Sequence, residues 1–206
     1  MFNINNIYMD LADSKKKLTH IQSKLKLNHG TLLEEYQEQL LSVNYLTGNE
    51  QVLELGGNIG RNALIIATIL NNNNNNKFVT LETNSEFCSQ LMENKLSNNL
   101  DFHIVNSALS KRKLIQKKVQ GPSGDWLTIP SDILYDGYEF VDIISFTELE
   151  NIYDVKFDTL IVDCEGAFLY ILQDFPDMLK NIKLIIIEND YQSIGDSSAI
   201  SKKKMG

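Results

Sequence analysis

Carboxylates stand at the ends of short apolar segments of this chain. Glu54 lies within the first such run and Glu82 ends the second, while later runs lead into Asp163, Glu165 and Glu188. Apolar runs of four or five residues predict buried parallel strands, whose carboxyl ends meet at one edge of a sheet. Crowding of the last three carboxylates would raise a pKa, which suits a general base. A carboxylate such as Glu82 can accept hydrogen bonds from two neighbouring hydroxyls.

A glycine-rich turn follows the first apolar run. Gly56, Gly57 and Gly60 separate that run from a strongly apolar segment at 60–70, which we predict to be a helix. Such a turn leaves backbone N–H groups at the helix N-terminus and lets a ligand approach without meeting a Cβ atom. The spacing is Glu54-x-Gly56-x-x-x-Gly60. It differs from the G-x-G-x-x-G of dinucleotide-binding enzymes, whose first glycine would fall on Leu55.

Helices and strands alternate along the part of the chain that must position these residues. Helical spacing and end signals predict a helix at 31–46, capped by Thr31, and further helices at 60–70, 85–99 and 168–182, the last disturbed by Pro176. Apolar runs predict strands at 52–55, 77–82, 101–105, 139–146, 158–166 and 183–190, with a hairpin over 111–129. This alternation predicts an α/β fold with a parallel sheet covered by helices on both faces.

The length of the chain fits a single domain, and its net charge argues against nonspecific binding to nucleic acid or membranes. The 206 residues favour a polar N-terminal extension at 1–30, solvated or forming a short helix and a linker, and one domain at 31–206. The net charge of −8 argues against nonspecific binding to nucleic acid or anionic membranes. No signal peptide or membrane span is visible, and two cysteines fit a reduced, cytoplasmic protein. No histidine pair has metal-ligand spacing, so we expect no metal.

Two unusual segments have simple interpretations. The six asparagines at 71–76 cannot build a core, and we interpret them as a tolerated loop expansion. The basic stretch at 110–119 is either a solvated face of the hairpin or a site for an anionic acceptor such as a sugar nucleotide. Trp126 either packs the hairpin or lines an acceptor pocket.

Taken in order, these motifs resemble the FkbM family of class I S-adenosylmethionine-dependent methyltransferases. Residues 56–60, Gly-Gly-Asn-Ile-Gly, are similar to the family's Gly-Ala-Asn-x-Gly. The family's aliphatic strand running into Asp-x-Glu-Gly is matched by Asp163, Glu165 and Gly166, and its later strand ends in an acid, here Glu188. The resemblance covers residues 48–190. In this chain Glu54 replaces the usual Asp, Gly57 the usual Ala, and Phe168 a second acid.

The resemblance implies a Rossmann-like methyltransferase sheet of order 3-2-1-4-5, S-adenosylmethionine as cofactor, and O-methylation of a hydroxyl on a sugar, glycan or similar small molecule. It places Glu54 near the amino-acid portion of the cofactor, Glu82 at the ribose, and Asp163 near the methyl end. The residues that it implies for cofactor binding are Glu54, Gly56, Gly57, Asn58, Gly60, Glu82, Thr83, Asn106, Ser107, Ala108 and Asp163. The catalytic candidates are Asp163, Glu165 and Glu188, each of which could instead cap a helix or order a loop.

Two other functions stay open at this point. One is a methyltransferase-fold binding module with weak or no activity, and the other is an NAD-dependent oxidoreductase, against which the glycine spacing counts.

The polar sequence after Glu188 is too short for the usual final helix and strand pair, so we expect that strand pair to be truncated. The fifth strand would then be a sheet edge that needs a cover. A homodimer through that edge is favoured over a cover made by residues 1–30 or by the C-terminal tail.

Overall fold

The computed structural model describes residues 4–118 and 128–188, with side chains described for 11–118 and 128–188. The helices are α1 Ile4–Gln22, α2 Tyr36–Tyr45, α3 Arg61–Asn71, α4 Ser85–Ser97, α5 Phe146–Ile152 and α6 Phe168–Asp174, with a 3₁₀ turn at Met178–Asn181. The strands are β1 Val52–Leu55, β2 Phe78–Leu81, β3 His103–Val105, β4 Ala108–Leu109, β5 Leu114–Lys117, β6 Ile129–Pro130, β7 Tyr138–Val141, β8 Ile143–Ile144, β9 Thr159–Val162 and β10 Leu184–Ile187.

The central sheet has five parallel strands in the order β10-β9-β1-β2-β3. Because β9 and β10 are the fourth and fifth strands of this sheet along the chain, the predicted order 3-2-1-4-5 and the α/β Rossmann-like class are confirmed. The register pairs Leu55 with both Leu81 and Val162, and Val162 with Ile187. Each strand therefore ends at the same level, and the residues that follow them lie along one edge of the sheet.

The sheet is buried on both faces because its side chains alternate between two apolar clusters. One cluster joins Leu53 and Leu160 to Phe157 and Leu149, beside α5 and α6. The other joins Val52 and neighbouring strand residues to α3 and α4. β1, β2 and β9 are buried along their whole length, as the continuous apolar runs predict. In the expected last helix, α6 ends just before Pro176 and a 3₁₀ turn follows, as the proline predicts.

A smaller antiparallel sheet lies between β3 and β9 along the chain. β5 pairs with β6 and with β7, so the strands of the predicted hairpin are confirmed. The turn of that hairpin and Trp126 fall outside the described residues. The single strand predicted at 139–146 is instead divided into β7 and β8, and β8 pairs with β4 away from the central sheet.

The N-terminal segment forms the helix α1, as the alternative of a short helix predicts. The face that carries Ser14 and Leu18 is buried, so the alternative of a fully solvated extension is wrong there. Leu18 is fully buried against Leu40, Val43 and Ile65. Gln22 also donates a 2.8 Å hydrogen bond to Gln39 in α2. The division of the chain at residue 30 stays a prediction.

The second helix begins five residues later than the sequence predicts. Glu35 is its N-terminal flanking residue, in the left-handed region at φ 56°, and Leu33 is 83% exposed. Thr31 does not cap this helix, since its hydroxyl accepts the N–H of Leu33 in a local turn. Glu34 and Glu35, which fall inside the predicted helix, instead precede α2 and form ion pairs with the guanidinium of Arg61.

The asparagine run is an organised connection, which corrects its interpretation as a tolerated loop. The Asn75 amide donates to the carbonyls of Gly48 and Glu50 at 3.1 and 2.8 Å, and its oxygen accepts the N–H of Lys77 at 2.9 Å. Asn73 donates to the carbonyl of Thr47. These bonds join the end of α3 to the segment before β1, and amide side chains suit this task because they donate and accept.

Two expectations concern parts of the molecule that the structure does not describe. Within the described residues β10 forms one edge of the central sheet, with Ile187 46% exposed. Residues 189–206 fall outside the described part, so the truncated strand pair and the homodimer through this edge stay predictions. No helix among the described residues is long and apolar enough to cross a membrane.

Candidate functional site

A cavity of about 660 Å³ opens at the carboxyl edge of the central sheet. Its wall includes the ends of β1, β2 and β9, the residues before α2, the segment after β3, β6 and α6. Nine of the predicted site residues line it: Gly56, Asn58, Glu82, Thr83, Ser107, Ala108, Asp163, Glu165 and Glu188. Glu54, Gly57, Gly60 and Asn106 do not line it. This size is typical of small-molecule sites, which measure about 300–1,000 Å³.

Glu82 is a carboxylate of the cavity wall that backbone N–H groups hold at both of its oxygens. One carboxylate oxygen accepts the backbone N–H of Asn58 in the glycine-rich turn at 2.8 Å. The other accepts the backbone N–H of Asn84 at 2.8 Å. Burial raises the pKa of Glu82 above its ordinary value, against the opposing effect of these two N–H groups. Hydrogen bonding from the backbone N–H and the hydroxyl of Thr83 also opposes that shift. The two oxygens together offer about four acceptor positions, so a ligand hydroxyl would share this carboxylate with the Thr83 hydroxyl or take its place.

The glycines allow the turn to approach its own sheet, which differs from the role predicted for them. At Gly56, with φ 92°, an added Cβ would lie 1.7 Å from the carbonyl oxygen of Asp163. At Gly57 it would lie 2.3 Å from the hydroxyl of Thr80. Neither position has room for a side chain even without a ligand. Glycine is therefore required at these two positions by contacts within the protein, with Asp163 and Thr80, whether or not a ligand is bound.

The N–H groups of this turn are also engaged within the protein. Those of Gly56 and Gly57 both donate to the carbonyl of Leu81 at 2.9 Å, and that of Gly60 donates to the carbonyl of Gly57. The N–H of Asn58 reaches Glu82, as described above. The expectation that these groups are left exposed for a ligand is wrong for these four residues. What the turn presents to the cavity is a backbone fixed against β2.

Glu54 lies inside the sheet and away from the cavity wall. It is 2% exposed, and its Oε2 has no hydrogen-bond partner among the described residues. Burial raises its pKa to about 8, and the nearby carboxylates Glu35 and Glu82 add to that shift. The burial follows from its place in β1, between Thr80 of β2 and Ile161 of β9. Direct contact between this side chain and a ligand in the cavity is therefore not supported.

Asn106 braces two strand ends. Its side-chain amide donates to the carbonyls of Glu82 and Thr83 at 2.8 and 3.0 Å. It thereby fixes the end of β2 next to the segment after β3, and the neighbouring Ser107 and Ala108 line the cavity in its place. A binding role for Asn106 can only be indirect, through the position that it gives to Glu82.

The three catalytic candidates come together in the cavity wall. Asp163 and Glu188 follow strands that are paired up to their last residues, and Glu165 adopts the left-handed conformation at φ 50°. Burial raises the pKa of Glu165, and the charge of Glu188 raises it further. A carboxylate of raised pKa next to a second acid is suited to accept a proton.

Several cavity residues are not among the predicted catalytic and cofactor-binding residues, although one of them, Arg112, belongs to the basic stretch 110–119 for which an anionic acceptor is one interpretation. Burial raises the pKa of Glu35, the ion pair with Arg61 opposes that shift, and the charge of Glu188 adds to it. Arg112 and Asp174 form a 2.8 Å ion pair in another part of the wall. One sequence signal was available, because Arg61 and Arg112 are the only two arginines among the 19 basic lysine and arginine residues. Among the described residues no cluster of three or more potential metal ligands is found.

The sequence matches no protein-family model and no curated protein. Among solved structures, the chain is similar to a fibrillarin/Nop5p complex, with 15% identity over 78% of this chain and 60% of that one and a TM-score of 0.44. It is also similar to the O-methyltransferase from Bacillus cereus in complex with SAH, with 14% identity over 95% and 76% of the two chains and a TM-score of 0.46.

A third similar structure is the methyltransferase FkbM from Methylobacillus flagellatus, with 11% identity over 95% of this chain and 53% of that one and a TM-score of 0.48. The chain thus spans less than two thirds of the matched chain in the fibrillarin/Nop5p complex and of the FkbM chain. At these identities the similarities concern the fold alone, and they do not show membership of the FkbM family. The fold is the Rossmann-like α/β architecture that the strand order already shows.

Proposed function

We propose that this chain is an S-adenosylmethionine-dependent methyltransferase that methylates a hydroxyl group of a sugar or another small molecule. The observation that carries the proposal is the position of Glu82 at the carboxyl end of β2, in the wall of the cavity. Its two oxygens are already fixed by Asn58 and Asn84. A carboxylate held in this way can accept hydrogen bonds from both hydroxyls of a ribose without a change in its own position.

The charges around the cavity fit a cationic cofactor. Two arginines face a larger set of acids in the wall: Glu34, Glu35, Glu82, Asp163, Glu165, Asp174 and Glu188. When bound, S-adenosylmethionine would supply a methyl group on a positively charged sulfur. Glu82 would hold the ribose, Thr83, Ser107 and Ala108 would line the side occupied by the adenine, and Asp163 would face the methyl end. The acid excess would favour the cation electrostatically.

Methyl transfer to a hydroxyl requires alignment of the two reactants and a general base, and the residues near Asp163 would provide both. Alignment of two reactants contributes up to roughly 7–11 kcal/mol in ideal cases, and the fixed strand ends provide a rigid frame for it. A sugar hydroxyl is a weak nucleophile, so it also needs a base, worth about 10²–10⁴-fold in rate. Glu165 would accept that proton, because burial and Glu188 together raise its pKa.

A dinucleotide-dependent oxidoreductase could place a ribose on the same carboxylate, so the decisive test compares cofactors. Titration calorimetry should show binding of S-adenosylhomocysteine and none of NADH. Transfer of a labelled methyl group to a panel of sugars and sugar nucleotides would then establish catalysis. Binding of NADH with none of S-adenosylhomocysteine would overturn the proposal. Binding of S-adenosylhomocysteine without any transfer would favour the inactive binding module instead.

A further inference from the structure

We infer that Arg112 forms a binding site for an anionic group, a carboxylate or a phosphate, carried by the small molecule that accepts the methyl group. Only the assignment of this group to the methyl acceptor rests on the proposed function. The anion site itself is argued from Arg112 and the residues around it. The site lies in the part of the cavity formed by the segment before β5 and by α6.

The choice of amino acid is the first observation. Of the 19 lysine and arginine residues only Arg61 and Arg112 are arginines, and both line this cavity. Lysine serves at the other basic positions of the chain. A guanidinium differs from an ammonium in its planar fork of donors, which matches a carboxylate or phosphate through two parallel hydrogen bonds. The use of arginine at position 112, in a chain whose other basic residues outside position 61 are lysines, therefore favours two-bond recognition of a carboxylate or phosphate there.

The second observation is that Arg112 is held in place and still has free donors. Its Nη2 contacts Asp174 at 2.8 Å and Gln173 at 3.2 Å, and its guanidinium carbon lies 5.5 Å from the centre of the Tyr170 ring. Its Nε and Nη1 make no hydrogen bond to the described residues, and the side chain is 33% exposed. A guanidinium fixed on one edge and open on the other is prepared for an anion.

The third observation is that Asp174 has little left to offer a ligand. Its Oδ1 is paired with Arg112, while its Oδ2 accepts the Ser110 hydroxyl at 3.2 Å and the Lys111 N–H at 3.1 Å. Its side chain is 8% exposed. Asp174 therefore orients Arg112 and balances its charge, and an incoming anion would add to a pair that is neutral overall.

Arg61 is a much poorer anion site, although it lines the same cavity. Both of its terminal nitrogens pair with carboxylates, those of Glu34 and Glu35. The group of three therefore carries one negative charge when both acids are ionised, and it would repel an anion. Arg61 shapes the turn before α2, whereas Arg112 remains available to a ligand.

The distance between Arg112 and the acids sets the shape of the acceptor. Asp174 is the last residue of α6, and Glu165 precedes the first residue of that helix by three positions. The seven residues of α6 span roughly 10 Å at about 1.5 Å per residue. Arg112 lies beside both Tyr170 and Asp174 of this helix, so the helix length gives only the scale of its separation from Glu165. The acceptor is thus expected to carry its anionic group at one end and its nucleophilic hydroxyl, at Glu165, near the other. A sugar phosphate or a sugar acid has this arrangement.

Two arginines in the whole chain make the site directly observable. In protein labelled with ¹⁵N-arginine, the spectrum has only two Nε–H signals, which Arg61→Lys and Arg112→Lys assign. Inorganic phosphate and acetate are titrated separately, with glycerol as the neutral control. We expect phosphate, acetate or both to shift the Arg112 signal to saturation in the millimolar range while the Arg61 signal stays in place. The anion that binds more tightly identifies the acceptor's group as a phosphate or a carboxylate.

Matched variants separate this site from general charge effects. Arg112→Met should weaken anion binding, followed through backbone amide signals, by at least about tenfold, and Arg112→Lys should weaken it less. Lys113→Met removes the same charge from an exposed neighbouring side chain and should change binding by less than about twofold. Unchanged Arg61 signals would show that each variant is folded.

Three results would overturn the inference. They are the absence of an anion-dependent shift at Arg112, an equal shift of both arginine signals, and an equal loss of binding in Arg112→Met and Lys113→Met. Repeating the titration with saturating S-adenosylhomocysteine tests the assignment to the acceptor. Retained anion binding supports that assignment, while displacement would mean that Arg112 holds the cofactor's own carboxylate. Failure of S-adenosylhomocysteine to bind at all would refute the proposed function and leave the anion site standing.

Discussion

The backbone N–H of Asn58 donates a 2.8 Å hydrogen bond to the carboxylate of Glu82. This bond ties the glycine-rich turn after β1 to the end of β2. The second oxygen of Glu82 binds the N–H of Asn84, whose own side chain caps α4. One carboxylate therefore connects two strand ends and the start of a helix, and any ligand that binds Glu82 meets a site that is already assembled.

The binding of S-adenosylhomocysteine should depend on pH through Glu82. Burial raises the pKa of this carboxyl above the ordinary value of 4.5. As pH falls through that raised pKa the carboxylate takes up a proton and loses acceptors for the ribose hydroxyls, so affinity should fall. Calorimetry at pH values from neutral down to about 4.5 should show that the affinity for S-adenosylhomocysteine falls in the wild type and in Glu54→Gln. In Glu82→Gln the affinity should be weaker and nearly independent of pH. An identical pH profile in Glu82→Gln would show that another group titrates.

Gly56→Ala should damage the fold and not only a binding site. An added Cβ would meet the Asp163 carbonyl oxygen at 1.7 Å, and the backbone has φ 92°. Gly137 is the matched control, because it has φ 79° and nothing within 4 Å of an added Cβ. We expect Gly137→Ala to lose about 1–2 kcal/mol in the free energy of unfolding, from backbone strain alone.

Urea unfolding of the two glycine variants gives the comparison. Gly56→Ala should lose clearly more stability than Gly137→Ala, or fail to fold, because the end of β9 must also move. Equal losses in the two variants would mean that the close approach at Gly56 can relax without cost.

Much of the fold follows from the sequence because its signals are local. Continuous apolar runs predict buried parallel strands, and Pro176 predicts the break after α6. The start of α2 is not marked by a local signal, and the two acids before it, Glu34 and Glu35, pair with Arg61, about 26 residues away along the chain. The division of 139–146 into two strands likewise depends on pairing with β4 and β5, which no local pattern reveals.

The candidate site, like the fold, is predictable from local sequence patterns only in part. The positions of Glu82, Asp163, Glu165 and Glu188 at one edge follow from the strand pattern. Whether a side chain at a strand end faces the cavity or the sheet interior depends on where the strand stops, and Glu54 stands one residue before that point. The network around Arg112 combines the segment before β5 with α6, about 60 residues later. No spacing rule connects such distant segments.

The stability of the protein should decrease as pH rises, because of Glu54. Its pKa is about 8 in the folded protein, against an ordinary value of 4.5 that we take for the unfolded chain. Between these values the folded state holds a proton that the unfolded state has released. The free energy of unfolding should then fall with increasing pH by up to roughly 1.4 kcal/mol per pH unit.

Urea unfolding at several pH values between these limits tests the role of Glu54. Glu54→Gln should remove the slope in the upper part of this range, near pH 8, because a glutamine does not titrate. The raised pKa values of Glu35, Glu82 and Glu165 leave a slope closer to pH 4.5. Glu86→Gln, at an exposed position of α4, is the control and should leave the slope as it is in the wild type. A wild-type slope near pH 8 that persists in Glu54→Gln would assign the effect there to another carboxyl.

Substitutions of the catalytic candidates should have different effects on catalysis and on cofactor binding, which can be measured once an acceptor is identified. Glu165→Gln should lower kcat by at least about tenfold with little change in cofactor affinity, because it removes the proposed base. Asp163→Asn should lower both kcat and cofactor affinity, because Asp163 is proposed to face the cofactor. Steady-state kinetics together with calorimetry separates the two effects. Full activity in both variants would transfer the role of base to Glu188 or leave alignment as the main contribution.

The most direct test of the central claim is a calorimetric titration of S-adenosylhomocysteine into the wild type, Glu82→Ala and Glu86→Ala. Two charge-assisted hydrogen bonds to a ribose are worth roughly 2–4 kcal/mol, so Glu82→Ala should weaken binding by about 30- to 1,000-fold. Glu86→Ala, an exposed substitution on α4, should bind like the wild type. Circular dichroism of Glu82→Ala should confirm that the sheet remains folded without the bonds to Asn58 and Asn84. The claim is contradicted if the wild type does not bind S-adenosylhomocysteine, or if folded Glu82→Ala binds it with unchanged affinity.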